Sequence, residues 1–273
     1  MKGPSYSEEE FRELLDVIFE KYHYDFRAYA AASLTRRLNA ALLHFGYGSI
    51  AMLQQHVLSE PKLFTELLHY LTVQVSDIFR DPSYYRSLRE KVVPYLRTYP
   101  SLKVWVAGCA TGEEAYSLAI VLYEEGLLDR TLIYATDINP DSLRAAREGV
   151  YQIDRFPHFS ENYQRAGGRS SLSDYYTARY SSAIMNRSLK QAIFFSDHSL
   201  ATDHVFAECE LVSCRNVLIY FERELQDRAL SVLSGSLCRK GFLGLGARES
   251  LRFSAHAHLF TEFVHEDRIY QKV

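Results

Sequence analysis

The chain has 273 residues, enough for one large or two small domains with an ample core. Hydrophobic content of 47% and charged content of 24% are those of an ordinary globular protein, and a net charge of −3 excludes a general binder of nucleic acid or anionic membrane, which needs a basic excess. No apolar run reaches transmembrane length, so no direct membrane insertion is expected.

The stretch Met1 to Glu10 lacks the apolar core of a signal peptide, and Cys109, Cys209, Cys214 and Cys238 form no Cys-x-x-Cys pair. A reducing, cytoplasmic setting is therefore expected. Ser7 with Glu10 forms a capping box, and Phe11, Leu14, Leu15, Ile18, Phe19 and Tyr22 follow at helical spacing. A second helix is predicted over about Tyr29 to Phe45, with Gly46 as its stop. No acidic residue occurs between Phe26 and Ser59, while Arg27, Arg36 and Arg37 do, which leaves a solvated basic face or a docking face for an acidic helical partner. Two short helices, Ser49 to Val57 and Pro61 to Leu71, are expected to be capped by Ser49 and Ser59. Residues 1–72 thus read as a small all-α domain. Leu71 to Asp81 is β-branched and extended, and Asp81-Pro82 opens a helix to about Arg97, so 73–101 leads into the next domain.

Residues 102–273 carry an α/β pattern. Leu102 to Ala107 is a short apolar strand, Gly108 to Gly112 a turn, and Glu113 to Glu125 a helix. A second strand, Thr131 to Ala135, leads to Asp137, 25 residues beyond Gly112. A carboxylate at the tip of a second β-strand is placed to accept ribose hydroxyls, and the glycine turn lets backbone approach a ligand. The alternative is a tight turn whose Asp caps the helix at Pro140 to Glu148. Glu113 and Glu114 would repel a dinucleotide pyrophosphate, which counts against a nicotinamide oxidoreductase; S-adenosylmethionine, with ribose hydroxyls and a cationic amino group, suits them better. Residues 150–192 read as loops with a small antiparallel excursion around Tyr175 to Phe195. Leu211 to Cys214 returns as a strand, a helix covers Glu222 to Leu237, Lys240-Gly241 turns into a strand at Phe242 to Leu245, and a last strand spans about Phe260 to Gln271. Alternating strands and helices predict a mainly parallel sheet, with ligands at the strand carboxyl ends, where Gly108, Asp137 and Asn216 fall.

Several motifs together resemble one family. Residues 72–82 (Thr-Val-Gln-Val-Ser-Asp-Ile-Phe-Arg-Asp-Pro), the loop from Ala107 to Glu114, Ala135 to Pro140, Ser213-Cys-Arg-Asn-Val-Leu-Ile-Tyr-Phe221 and the Gly241 to Leu251 stretch are similar to CheR-type chemotaxis receptor methyltransferases, in order and over nearly the whole chain. The resemblance implies a Rossmann-like methyltransferase domain with an inserted antiparallel β-subdomain (about 170–195) behind an all-α receptor-docking domain. It implies transfer of methyl groups from S-adenosylmethionine, with S-adenosylhomocysteine as product, to glutamates on the cytoplasmic helices of a chemoreceptor, tuning its adaptation. Carried onto this chain, Glu113 would meet the cofactor's amino group and Asp137 its ribose. Ala107, Gly108, Gly112, Ile138, Leu200, Asn216 and Val217 would line the cofactor site. Arg80 and Tyr220 would stand by the methyl transfer, and Arg36 and Arg37 would face the receptor.

Gln74, Ser76, Arg80 and Ser199 would also border the cofactor, although the chain departs from the family pattern at Gln74 and Ser76 (usually Asn and Thr), at Ser199 (usually Asn) and at Gly246-Ala-Arg-Glu249 (usually Gly-His-Ser-Glu). Those departures motivate an alternative, a regulatory module that binds S-adenosylmethionine without transferring it. A tetratricopeptide extension, present in some members, is not expected, and a monomer is the default. A glutamate nucleophile is already ionised at neutral pH (pKa about 4.3), so no general base is required. Arg80 suits a planar anion through two hydrogen bonds. The ten histidines show no metal-binding spacing, His198 and His204 read as loop residues, and Cys109 reads as a small residue filling the glycine turn.

Overall fold

The computed structural model describes residues 6–273; the first five residues of the stretch tested above as a leader lie outside them. Helix α1 (Glu8–Tyr22) starts at the predicted capping box: the Ser7 hydroxyl accepts from Glu10 N at 3.1 Å and Glu10 accepts from Ser7 N at 2.7 Å. Helix α2 (Ala31–Phe45) ends where Gly46 takes φ +72°, a conformation natural to glycine. Helices α3 (Ile50–Ser59) and α4 (Pro61–Leu71) follow. Ser49 caps α3 as expected, but Ser59 does not cap α4. It is the last residue of α3, and its hydroxyl donates back to the carbonyls of Gln55 and His56. Glu60 stands before α4 without a side-chain bond, and Pro61, which has no N–H to satisfy, opens the helix.

Beyond the extended segment 72–81, α5 (Pro82–Ser87) widens into one π-turn at Leu88–Val92 before α6 (Val93–Leu96). Pro94 cannot donate to the carbonyl four residues back, which favours that wider turn. Strand β1 (Leu102–Ala107), α7 (Glu113–Glu124), β2 (Thr131–Asp137) and α8 (Pro140–Glu148) form the expected βαβα core. The remaining elements are β3 (Val150–Gln152), α9 (Phe156–Arg165), β4 (Tyr176–Arg179), β5 (Ser182–Met185), α10 (Arg187–Gln191), β6 (Ile193–Asp197), β7 (Cys209–Cys214), α11 (Arg223–Gly235), β8 (Leu237–Leu245), β9 (Phe260–Val264) and β10 (Ile269–Lys272). The seven-stranded sheet has the order β6-β2-β1-β7-β8-β10-β9. Its first five strands run parallel, and β10 and β9 close the edge as an antiparallel pair.

The second half differs from the sequence reading in four respects. The small antiparallel sheet, β3-β5-β4, begins at Val150, and Ile193 to Asp197 belongs to the large sheet, where it runs parallel to β2. Helix α9 fills a stretch expected to be loop; it buries Phe156, Phe159 and Tyr163 at helical spacing. Strand β8 starts at Leu237 and absorbs Lys240 at φ +65° as an irregularity, so Lys240-Gly241 is not a separate turn. The expected last strand is a hairpin, because the polar run His265 to Arg268, with Arg268 at φ +54°, reverses the chain.

The N-terminal helices are not a separate bead. Their apolar stripes (Leu14, Ile18, Leu34, Leu38, Leu67) are continuous with the sheet face that carries Trp105, Val212 and Leu243. The other face packs α7 and the small sheet around Val104, Tyr116, Ile120 and Phe159. At the start of α2 the backbone is stitched to the chain after β7: Ala30 N donates to the Tyr220 carbonyl at 2.8 Å and Glu222 N to the Ala28 carbonyl at 2.9 Å. Tyr29 packs edge-on against Phe221 at 4.8 Å between ring centroids.

Candidate active site

One cavity opens at the carboxyl ends of β1, β2, β6 and β7, at the point where the sheet order reverses beside β1. Its wall includes Gly108 and Ala110 after β1, Asp137 and Ile138 after β2, His198 and Leu200 after β6, and Arg215, Asn216, Val217 and Tyr220 after β7. Segment 72–80 adds Ser76 and Arg80, and α2 closes the cavity with Arg37.

The glycine turn is built for close approach. Gly108 holds φ +73°, and a Cβ there would lie 2.5 Å from Val217 Cγ2, so a larger residue would push Val217 away. Gly108 N and Cys109 N both donate to the Thr136 carbonyl, at 2.8 and 2.9 Å, locking the turn to β2. Asp137 accepts Ala110 N at one oxygen and Asn139 N at the other, each at 2.9 Å. The second lone pair of each oxygen remains for a ligand hydroxyl. Burial pushes this carboxyl above its ordinary range, and the N–H donors only partly offset that. Asp137 is not the N-cap of α8. Asn139 is, accepting from Asp141 N and Ser142 N.

The two glutamates at the start of α7 part company. Glu113 faces away from the cavity wall and is buried, 3.1 Å from Arg155 Nη1 and 2.7 Å from the Thr111 hydroxyl. Burial raises its carboxyl, and Thr111 and Arg155 hold it back. Glu114 stands on the wall instead, accepting the Ser213 hydroxyl at 2.7 Å and Arg215 Nη1 at 3.3 Å. Of the two glutamates, only Glu114 lines the cavity, and Glu113, expected at the cofactor's amino group, does not. The helix rotation is fixed by Arg155, which captures the first carboxylate.

Arg80 lies between two residues of left-handed backbone, Phe79 and Asp81, both at φ +56°. Three hydrogen bonds hold that segment: the Ser117 hydroxyl accepts Phe79 N at 2.8 Å, and buried Arg215 donates to the Arg80 carbonyl at 3.0 Å and to Asp81 at 2.8 Å. Arg215 stacks over Tyr84, 4.2 Å from the ring centroid. Burial pulls its guanidinium down, but Glu114, Tyr85, Tyr84 and Asp81 outweigh that and raise it, so it is always charged.

Arg36 and Arg37 separate as well. Arg36 is exposed and off the wall, as a docking residue would be. Arg37 turns inward: it lies 5.4 Å from the Tyr220 ring, donates Nε to Ser33 O at 3.2 Å, and buries Nη2 with no hydrogen-bond partner among the described residues. Its desolvation lowers its pKa.

Four other expected cofactor residues do not reach the wall. Gln74 turns its amide to the Thr72 hydroxyl at 2.6 Å. Ser199 is spent on its own turn, its hydroxyl accepting Ala201 N at 3.3 Å. Ala107 is inside β1, and Gly112, at φ +94°, sits against Ala146. Tyr29, His198 and Arg215 are wall residues that the sequence reading did not propose, and Glu114 was named there only together with Glu113. Among the described residues there is no cluster that could hold a metal ion and no helix long and apolar enough to cross a membrane. Cys109 is buried, and that burial pushes its thiol well above its ordinary value, away from the thiolate form a nucleophile needs.

Residues 74–266 match the model of the CheR methyltransferase SAM-binding domain, and residues 9–72 that of the CheR methyltransferase all-alpha domain. The chain is 54% identical over 263 residues to a Pseudomonas putida protein named Cher3, covering 96% of each. It is 30% identical to a chemotaxis protein methyltransferase of Listeria innocua, over 83% of this chain and 84% of that one. To chemotaxis protein methyltransferase 2 of Pseudomonas aeruginosa it is 27% identical, over 92% and 90%.

Proposed function

The chain belongs to the CheR methyltransferase family, an S-adenosylmethionine-dependent enzyme family, and from that premise we propose that it methylates glutamate side chains on the helical cytoplasmic domain of a chemoreceptor, setting that receptor's adaptation. The observation that carries the substrate assignment is the buried Nη2 of Arg37, without a hydrogen-bond partner among the described residues, on the same cavity wall as Arg80 and Tyr220. A buried guanidinium nitrogen without an acceptor is costly unless a ligand supplies one. Two arginines and a phenol converging on one cavity suit a carboxylate.

The donor set fits the cofactor. Glu114 and Asp137 retain lone pairs for an ammonium and for ribose hydroxyls, and Ile138, Leu200 and Val217 offer apolar surface. Bound S-adenosylmethionine would supply a sulfonium-activated methyl group for a substrate carboxylate oxygen, the S–CH3 bond breaking to leave S-adenosylhomocysteine. The chain's own work is orientation and exclusion of water. Arg80, held by its strained flanks, and Arg37 fix the plane of the substrate carboxylate and displace its hydration. Two cations there must leave one oxygen uncovered, because full neutralisation would quench the nucleophile. Tyr220 donates or accepts at the same place, with its backbone fixed by the stitch to Ala30. Exposed Arg36 lies on the same helix, where it would meet the acidic surface of the receptor.

The test is methyl transfer from labelled S-adenosylmethionine to the soluble cytoplasmic fragment of a chemoreceptor encoded in the same genome. Incorporation released as methanol by mild base identifies a glutamyl ester. Label in a base-stable form, or none on any receptor despite tight cofactor binding, would overturn the proposal.

A further inference from the structure

Glu249 belongs to the sequence stretch that departs from the family pattern, and nothing above gives it a task. It is buried, and no cation pairs with it among the described residues. Its Oε2 accepts Gly246 N at 2.6 Å and Asn216 N at 2.9 Å, and its Oε1 accepts Ile219 N at 3.3 Å. Burial pushes the carboxyl up, and these backbone donors pull it back. A buried carboxylate with no cation is a costly way to fill space; an apolar residue would do it more cheaply. The arrangement is instead a nest, in which N–H groups from two turns point at one anion.

The nest has a specific shape. Asn216 adopts φ +61°, unfavourable for most residues, and its N–H is one of the groups held. Gly246 approaches so closely that a Cβ would lie 2.8 Å from both Asn216 N and Glu249 Oε2. Glu249 does not reach the cavity, but the turn it holds carries Asn216, Val217 and Tyr220, which do.

We infer that Glu249 is a positioning residue of the methyltransferase site: its carboxylate clamps the turn 216–220 and so sets both the affinity for S-adenosylmethionine and the placement of Tyr220. The inference rests on the reading that Asn216 and Val217 border the cofactor.

Titration of the full chain with S-adenosylhomocysteine tests it, with melting curves confirming that each variant is folded. Glu249→Gln keeps the side chain's size and one acceptor oxygen but sets an amide N–H against one of the three donors. It should bind roughly tenfold more weakly, the equivalent of one lost charge-assisted hydrogen bond. Glu249→Ala should bind more weakly still, with the KM for S-adenosylmethionine raised and the KM for receptor unchanged. If the alanine variant does not fold, the glutamine variant decides alone. A lowered melting temperature with parental affinity in Glu249→Gln would overturn the role, since a merely structural carboxylate would behave that way. Asn216→Ala separates this from the underlying reading. Unchanged affinity in Asn216→Ala removes the cofactor from this turn, whereas loss there with none in Glu249→Gln removes only the positioning role.

Discussion

Arg215 holds Arg80 by its backbone: the buried guanidinium donates to the Arg80 carbonyl at 3.0 Å, leaving the Arg80 side chain to the cavity. The left-handed residues on either side cost of order 1 kcal/mol each, and the surrounding bonds over-determine them. Strain of this kind restricts where the Arg80 guanidinium can go. Arg80→Ala should lower single-turnover methyl transfer about a hundredfold, as loss of substrate orientation does, with a much smaller effect on S-adenosylhomocysteine affinity. Arg80→Lys should recover little, because an ammonium cannot hold a carboxylate by two parallel bonds. Near-parental turnover in Arg80→Ala would remove it from the mechanism.

Asp137 gives a pH signature. Its carboxyl is raised by burial, so protonation begins at a pH above the usual aspartate value of about 3.9. The ionised form is the better acceptor for ribose hydroxyls. On acidification, affinity for S-adenosylhomocysteine should therefore begin to fall at a higher pH than an ordinary aspartate would allow. Asp137→Asn should be weak throughout and flatter with pH. A parental profile in the variant would place the dependence elsewhere, Glu113 being the other raised carboxyl beside the glycine turn.

Two neighbours on α2 should behave differently. Arg36→Ala, on the exposed face, should raise the KM for receptor and spare kcat, with the defect shrinking as added salt screens the parental attraction. Arg37→Ala, on the cavity wall, should lower kcat as well. Equal effects of the two substitutions on receptor affinity alone would return Arg37 to a docking role.

Glu124 offers a test of stability apart from chemistry. At the end of α7 it is buried against Arg89 and Tyr163, with Tyr175 Oη donating at 2.9 Å and Arg169 N at 3.1 Å. Burial alone would raise its carboxyl, but these partners lower it on balance. A lowered carboxyl contributes stability that is fully present above the unfolded value and lost as pH falls through the folded one. Glu124→Gln should cost about 3 kcal/mol in urea unfolding at neutral pH, because it leaves buried Arg89 with Glu125 as its one carboxylate partner among the described residues. A smaller loss near pH 3 than near pH 7 would complete the pattern; equal losses would count against it.

Local signals were readable in the sequence, and choices set by packing were not. The Ser7–Glu10 box, the Gly46 stop and the Pro140–Glu148 helix each follow from residues adjacent in the chain. Asp137 was legible because the tip of β2 faces the ligand side whatever packs behind it. Glu113 and Glu114 were not distinguishable, since adjacent helical residues point about 100° apart and only the capture of Glu113 by Arg155 sets the rotation. Arg37 looked like surface because nothing in the chain announces that Tyr220, far away in sequence, lies beneath it. Helix α9 did carry a signal, with Phe156, Phe159 and Tyr163 in phase, but the surrounding tyrosines and the Gly167-Gly168 pair masked it. Gln74 and Ser199 were expected by position, and local hydrogen bonds at Thr72 and Ala201 claim them instead.

The pair of backbone bonds joining Ala28 and Ala30 to residues 220–222 has a consequence for how such proteins can be rebuilt. Because α2 is spliced into the turn that carries Tyr220, the helices are a wall of the reaction vessel and not a detachable adaptor. Exchanging them for those of a relative, to redirect the enzyme to another receptor, would replace Arg37 and the seat of Tyr220 in the same cut. A graft would therefore have to preserve the residues from Ala28 to Arg37 and vary only the outward face. On the proposed reading, docking and turnover share one helix and can be separated only face by face.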